Sequence, residues 1–459
     1  MENREQYKRL IMFAASAAIL LIQVLIFWLI WKFFYNYDDV IGKLYFRRGN
    51  WALLMLYAVI NFFFSKIFNA YKVGYLKISE VILSQILAVV CCNFMAYIQL
   101  ALIGRWSFTS HFAPIILMTL LDVAVVTGWV IFMRWIYAHI YPPRHMLLVY
   151  GTINPRQLVN KIKTRADKYV IVDNVCLSEG FEAVTKRIDQ YECTIIGDIP
   201  SADRNKLLKY CYRQGIRCYT IPKISDIMIK SSATITLFDT ELYLFRNRGL
   251  SVEQSFFKRI MDIVISLLIL LILSPALIVV CIAIKAHDGG PIIYKQDRLT
   301  KDGKVFKIYK FRSMRVDSEK NGAQLANKED DRITPVGRVI RRLHVDELPQ
   351  LINIIKGDMS FVGPRPERPD IACQYQESIP EFDFRLKMKA GLTGYAQVFG
   401  NYRTTPLDKL KLDLTYIENY SIWLDIMIII QTIKIFFQKE NSEGLEAGEK
   451  TALKRKEKI

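Results

Sequence analysis

The sequence predicts a membrane protein of mixed α and α/β class. Four N-terminal transmembrane helices lead into a parallel α/β domain. A basic, mainly helical domain follows, with a re-entrant membrane helix of its own. Three observations predict this. Long uncharged runs crowd the first third of the chain and recur once near residue 270, and short apolar runs alternate with polar, helix-length stretches after Pro142-Pro143. Apolar residues make up 52% of the 459, yet the net charge is +18, from 62 basic and 44 acidic residues. A uniform globule is excluded, and acidic partners are expected: phospholipid head groups, phosphorylated substrates or nucleic acid.

The first run places 22 uncharged residues between Arg9 and Lys32, enough to cross a bilayer and too long for a signal-peptide core. Further runs cover Gly49 to Ser65, Val81 to Gly104 and about 112–133, the last holding Pro114 and Asp122. Asp122 reads as a helix-packing or interfacial acid in preference to a functional one. Four spans, in a region bounded at 1–145, return the chain to its starting side. Basic residues flank both ends of the first span (Arg4, Lys8 and Arg9, then Lys43, Arg47 and Arg48), so charge leaves the orientation open. The eight cysteines form no CxxC pair and read as reduced, mostly buried thiols.

Residues 146–151, 168–177, 193–199 and 215–222 read as buried strands, and Pro155 to Asp167 and Ser201 to Gln214 as the helices between them. A Rossmann-like domain is therefore expected over 146–245. Its first turn has one glycine, Gly151, where the dinucleotide fingerprint needs three. A structural, regulatory or oligomerising role is favoured over nucleotide binding.

From Ile263 to Ile284 lie another 22 uncharged residues, within an expected helix 260–285. Ser274-Pro275 falls at their midpoint, and proline removes a helix hydrogen bond and crowds the preceding turn. Both flanks are basic, with Lys258 and Arg259 before and Lys285, Lys295 and Arg298 after. A crossing would strand one cluster on the wrong side. A helix that enters, breaks at Ser274-Pro275 and leaves on the same face fits both facts; the competing form is a kinked span. Residues 421–438 suit a helix lying in the interface or packed against the re-entrant one. A domain over 250–440 is then followed by a charged tail, 441–459, expected to be disordered.

The reactive residues gather in RRLHVDELPQLINIIKGDMSFVGPRP, 341–366. Asp346 and Glu347 are adjacent where a helix is expected to begin, with proline in its first turn. Read alone, Asp346 would be a helix cap. Cations at Arg341, Arg342 and Arg365 alter that reading, since such a field keeps a carboxylate ionised and attracts phosphate. A carboxylate can attack phosphorus to form an aspartyl-phosphate. The second acid would hold a divalent ion or handle protons, magnesium being the natural choice. Gly363-Pro364-Arg365-Pro366 pins a guanidinium between Pro364 and Pro366, pre-positioned to fork phosphate oxygens. Lys310 and Arg312 in KIYKFRSM, with Arg298, add cations on the substrate side. Asp358 reads equally as a cap or a second metal ligand beside Glu347. Asp302-Gly303 reads as a hairpin turn, Gly391-Leu392-Thr393-Gly394 as a close-approach loop and His344 as structural.

With these residues in place, 255–438 resembles the catalytic domain of the bacterial polyprenyl-phosphate sugar-1-phosphate transferases, the monotopic phosphoglycosyltransferase superfamily. The matching segments are FFKRIMDIVIS, Ser274-Pro275, YKFRSM, DELPQLINIIKGDMSFVGPRP and GLTGYAQV. The preceding spans and α/β domain resemble the long form of that family. The resemblance implies transfer of a sugar-1-phosphate from a UDP-sugar, glucose or galactose first, to undecaprenyl phosphate. Magnesium assists, and the products are undecaprenyl diphosphate sugar and UMP. It implies that Asp346 is the nucleophile of a ping-pong cycle and that Glu347 assists at the metal or in proton transfer. Arg341 and Arg365 would steady phosphates, and Ser274-Pro275 would form the re-entrant break. It further implies a multi-pass protein of the bacterial inner membrane with its catalytic domain on the cytosolic face. The role would be the first membrane step of capsule, exopolysaccharide or O-antigen synthesis, without nucleic acid; a homodimer stays open. Thr300 departs from the family, where many relatives have glycine. Two other classes compete: a transporter with a lipid-binding appendage, expected to carry polar residues through several spans, and a regulatory membrane protein with a merely structural DELP segment.

Overall fold

The structure is a computed structural model describing residues 7–36, 47–103, 112–151, 156–245, 249–315, 332–400 and 404–436. The turn Thr152 to Pro155 and the tail 441–459 lie outside these. The chain divides into two compact units, Met1–Ile221 and Pro222–Ile459. Five described helices are long and apolar enough to cross a membrane. With the parallel sheet below, they bear out a membrane protein of α plus α/β class.

The first unit opens with α1 (Lys8–Ile30), which continues as a π-turn to Tyr35, then α2 (Arg47–Ile67), α3 (Ile78–Ile103) and α4 (Ala113–Ile140). These follow the four apolar runs. Large side chains such as Phe27, Trp31, Tyr57, Leu100 and Met118 fill the core between the helices. Phe27 stacks on Tyr57 at 4.2 Å. Tyr57 Oη donates to Asn93 Oδ1 at 2.9 Å, and Asn93 Nδ2 donates to Asp122 Oδ2 at 3.0 Å. Asp122 thus ties α4 to α3, the helix-packing role read from the sequence. Beyond Pro142-Pro143, β1 (Arg144–Tyr150), β2 (Tyr169–Cys176), β3 (Cys193–Ile196) and β4 (Arg217–Thr220) form a wholly parallel sheet in the order β2-β1-β3-β4. The helices α5 (Arg156–Lys163), α6 (Phe181–Ile188) and α7 (Ser201–Arg213) alternate with the strands. Leu147, Val149, Ile196, Val184 and Leu207 meet in one core.

The second unit begins with α8 (Ile224–Ser231), whose Ile227 packs with Phe382 and Leu410, and a hairpin of β5 (Ala233–Leu237) and β6 (Thr240–Leu244). Then comes α9 (Val252–Asp288), 37 residues and about 55 Å at 1.5 Å per residue. A capping box starts it: Ser251 Oγ accepts from Gln254 N–H at 3.2 Å while the Ser251 amide donates to Gln254 Oε1 at 3.0 Å. Gly289, left-handed at φ +70°, ends it. Pro275 lies inside this helix, and Ser274 Oγ donates to the Leu271 carbonyl at 2.8 Å.

Three charges anchor the entry of α9. Lys258 Nζ donates to Asp425 Oδ2 at 2.6 Å, both side chains being buried. Arg259 caps the carbonyls of Ile354 and Ile355, and Asp262 accepts from Ser360 Oγ and the Phe361 amide. At the exit, Ile284 packs with Phe311 and Ile340. Strands β7 (Ile293–Leu299) and β8 (Val305–Phe311) form an antiparallel hairpin. Its turn holds Asp302 and Gly303 at positive φ, as Asp-Gly predicts. The remaining elements are α10 (Pro335–Arg342), α11 (Gln350–Lys356), β9 (Ser360–Val362), α12 (Pro369–Ser378), β10 (Gly391–Thr393), α13 (Tyr395–Phe399), α14 (Pro406–Glu418) and α15 (Ile422–Phe436). Asp425 places α15 against α9, the second of the two positions expected for that segment.

Candidate active site

Asp346 and Glu347 do not cap the helix that follows them. They lie in a single 3₁₀ turn, Val345–Glu347, and α11 begins at Gln350 behind Pro349 with no side-chain cap bond. The expected acidic helix start is corrected in this respect. His344 enters the turn at φ +54°, where the chain reverses out of α10. Neither carboxylate is used to cap α11.

Their surroundings set them apart. Lys310 Nζ donates to Glu347 Oε1 at 2.7 Å, and Arg365 Nη2 donates to the same oxygen at 3.0 Å. Burial alone would raise the Glu347 carboxyl, but the charges of Arg365 and Lys310 outweigh it and hold the group well below the usual carboxylate range. Asp346 moves the other way. Burial pushes its carboxyl up, the Glu347 charge adds to this, and Lys310, Arg341 and His344 only partly oppose it. Adjacent acids with separated proton affinities suit two different tasks.

Each partner is held by its own element. Lys310 projects from β8, which Asn353 fixes to α11: its Oδ1 accepts from the Tyr309 amide at 2.9 Å and its Nδ2 donates to the Lys307 carbonyl at 2.8 Å. Arg365 stands on the Gly-Pro-Arg-Pro turn. Gly363 there is pressed against Gly391 and Gly394, so a Cβ at any of the three would strike the opposite backbone. The close-approach loop of the sequence reading is thus the floor under this turn, pinned by bonds from Gly363 N–H to Thr393 O and from Gly391 N–H to Pro364 O, both 2.9 Å.

Arg298 and Arg385 support the turn from behind. Arg298 Nη1 donates to the Pro366 carbonyl at 3.0 Å, and Arg385 Nη2 donates to the Arg365 carbonyl at 2.9 Å. Arg385 also pairs with Asp413 at 2.8 Å and Glu367 at 3.4 Å. Burial and the neighbouring Arg365 charge push Arg298 down to about 10, and burial pushes Asp413 up to about 6. Pro364, Arg365 and Pro366 line one wall of a shallow hollow beside Phe382 and Arg385. The sequence reading missed Arg385, Glu367 and Asp413. Glu367 directly follows the turn and could have been singled out; Arg385 and Asp413 carry no local signature.

Two expected site residues lie elsewhere. Arg312 is buried and pairs with Asp288 at the end of α9. Asp358 stands at the far end of α11 from Glu347, accepts from Asn353 Nδ2 at 3.2 Å and offers its carbonyl to the Thr300 hydroxyl at 2.8 Å. That hydroxyl also accepts the Ala390 amide, so Thr300, where many relatives have glycine, links three segments. Among the described residues no three His, Cys, Asp or Glu side chains gather as a metal cage. The Asp346–Glu347 pair still fits a cation that binds through one or two carboxylates and completes its shell with phosphate oxygens.

The profile of the family described as "Bacterial sugar transferase" matches residues 253–439, which include every residue of this site. The chain is 33% identical over 315 residues to the UDP-N-acetylgalactosamine-undecaprenyl-phosphate N-acetylgalactosaminephosphotransferase of Aeromonas hydrophila, covering 68% of this chain and 71% of that one. It is 40% identical over 204 residues to the UDP-glucose:undecaprenyl-phosphate glucose-1-phosphate transferase of Escherichia coli K12, covering 43% and 42%. A protein of the same name from Caulobacter vibrioides is 36% identical over 190 residues, 40% of this chain and 71% of its own. The match to this profile, with the identity to the Aeromonas enzyme over more than two thirds of both chains, makes this chain a transferase belonging to the bacterial sugar transferase family.

Proposed function

We propose that this protein transfers a sugar-1-phosphate from a UDP-sugar to undecaprenyl phosphate, by a ping-pong reaction through an aspartyl-phosphosugar, at the cytosolic face of the bacterial inner membrane. The observation that carries the reading is the division of labour between Asp346, raised, and Glu347, held ionised by Lys310 and Arg365. The Asp346 carboxylate attacks the β-phosphorus of the UDP-sugar; the bond to the bridging oxygen breaks and UMP leaves with that electron pair. The phosphate oxygen of the polyprenyl acceptor then attacks the same phosphorus and Asp346 departs as carboxylate, giving undecaprenyl diphosphate sugar. Arg365 and Lys310 offset the charge gathered on the phosphoryl oxygens. Asp346 and Glu347, and not Asp358, would hold magnesium, which when bound neutralises diphosphate charge. Glucose, galactose and N-acetylgalactosamine are the candidate sugars, since relatives carry these names. The product would start a capsule, exopolysaccharide or O-antigen repeat unit.

The long helix is read as re-entrant at Ser274-Pro275 and the four preceding helices as spanning. What supports re-entry is that both ends of α9 are held by elements of the same second unit. Its entry bonds to α11, β9 and α15, while its exit packs on β8 and α10. The deciding experiment measures UMP release from purified protein with magnesium, undecaprenyl phosphate and each UDP-sugar. Release with one donor is expected, falling on the order of 10⁴-fold or more in Asp346→Asn. Undiminished release in that variant would remove the covalent route.

A further inference from the structure

The hairpin of β5 and β6 stands apart from the cores of the second unit, which take none of its side chains. Its register pairs Ala233 with Leu244, Ile235 with Leu242 and Leu237 with Thr240, and residues directly opposite share a face. One face therefore carries Ala233, Ile235, Leu237, Leu242 and Leu244, while Thr234, Thr236, Glu241 and Tyr243 take the other. The four large apolar side chains of the first face are 41–54% exposed. A two-stranded hairpin is marginal in water without further strands or an element packed on its hydrophobic face. Among the described residues this one is a sheet of two strands with that face open.

The tip adds to the apolar surface. Phe238 turns the chain at φ +54°, a conformation that bulky residues rarely adopt, and its ring is 95% exposed. Asn-Gly or Asp-Gly would make a two-residue turn without that strain, so the turn alone does not account for a phenylalanine. With Phe238, the four apolar side chains expose on the order of 600 Å² per copy, and two such surfaces together reach the roughly 1,200 Å² of a small stable interface. A bilayer surface is the poorer match. Anionic head groups attract Lys and Arg, but residues 233–245 contain neither, and Asp239 and Glu241 stand at the tip. A second copy of the chain is the better one, because a two-fold interface requires a surface that complements itself. Laid antiparallel on its own copy, this face brings each Phe238 ring over Ala233, the small side chain at the opposite end.

We propose that two copies of this chain dimerise by packing their β5–β6 hairpins, apolar face on apolar face, about a two-fold axis. The central pair, Ile235 and Leu242, lies at that axis, and each tip covers the base of the other hairpin. This proposal rests on the hairpin alone and does not depend on the transfer reaction.

The test is native mass spectrometry of the full chain released from detergent micelles over a range of micromolar concentrations. A dimer is expected. In Leu242→Arg its dissociation constant is expected to rise at least about a hundredfold, since the two-fold axis buries an unpaired charge from each copy. In a cysteine-free chain, Leu242→Cys is expected to cross-link between copies on oxidation, whereas Thr236→Cys, on the opposite face, is not. A monomeric native chain would overturn the proposal whatever the variants do. So would an unweakened dimer in Leu242→Arg, or cross-linking at Thr236→Cys as efficient as at Leu242→Cys. Quenching of a bimane at Leu242→Cys by spin-labelled phospholipid would also overturn it, by assigning the face to the bilayer.

Discussion

At the scale of single residues, Asp346 and Glu347 show how neighbours in sequence diverge in chemistry. Glu347 accepts two cations on one oxygen, whereas Asp346 meets burial and a like charge. A nucleophilic carboxylate works only when ionised. Activity should therefore fall as pH drops through the raised Asp346 value, above the ordinary aspartate range. Lys310 holds that value down, so Lys310→Met should move the acid limb of kcat/KM to higher pH. Glu347 holds it up, so the residual activity of Glu347→Gln should show its limb at lower pH. A pH profile of UMP release for the three proteins checks both signs; limbs that stay together would mean that Asp346 is not the titrating group. The adjacent acids and Arg365 were legible in the sequence because they share one short segment. Arg385 and Asp413 were not, because 28 residues separate them and only tertiary folding joins them. Asp358 was read into the site from its place after α11 and Arg312 as a cation beside Lys310, whereas Asp358 bonds to Asn353 and Arg312 pairs with Asp288.

At the scale of elements, the helices and strands followed periodicity and run length closely. The α/β strands begin and end within three residues of their expected limits, but only β1 and β3 are the buried apolar runs that were expected; β2 is mostly half-exposed and β4 largely exposed. The start of α11 was missed because Pro349 shifts the preceding residues into a 3₁₀ turn. The Gly-Pro-Arg-Pro turn depends on Arg385, whose side chain is 4% exposed and bonds to the Arg365 carbonyl. Arg385→Ala would leave Asp413 buried without its cation, a loss of about 3–5 kcal/mol. Arg385→Lys keeps the charge but not the fork, so it should preserve most of the stability and lower kcat by loosening Arg365. Thermal unfolding beside UMP-release kinetics separates the two; equal loss of stability in both variants would make Arg385 structural only. For α9, cysteines introduced one at a time at Ser251 and His287 in a cysteine-free chain test its path. Both should react with an impermeant maleimide only in inside-out vesicles. Reaction of one from each side would make α9 a spanning helix.

At the scale of the whole molecule, the two units carry separate cores, and all the residues assigned to transfer lie in Pro222–Ile459. Its core joins Leu351, Ile354, Met359, Tyr416 and Ile428 with apolar residues of α9, so the membrane helix is part of the fold that presents the carboxylates. The Caulobacter relative points the same way. Its 190 matched residues are 71% of that chain, and the remaining 29% is too short to hold a unit of 221 residues. Residues 222–459, expressed with their own α9 and extracted from membranes, should therefore release UMP from the same UDP-sugar as the full chain, with kcat within about threefold. A folded fragment without activity would mean that the first unit completes the transferase site, and the carboxylate pair would then be only part of it.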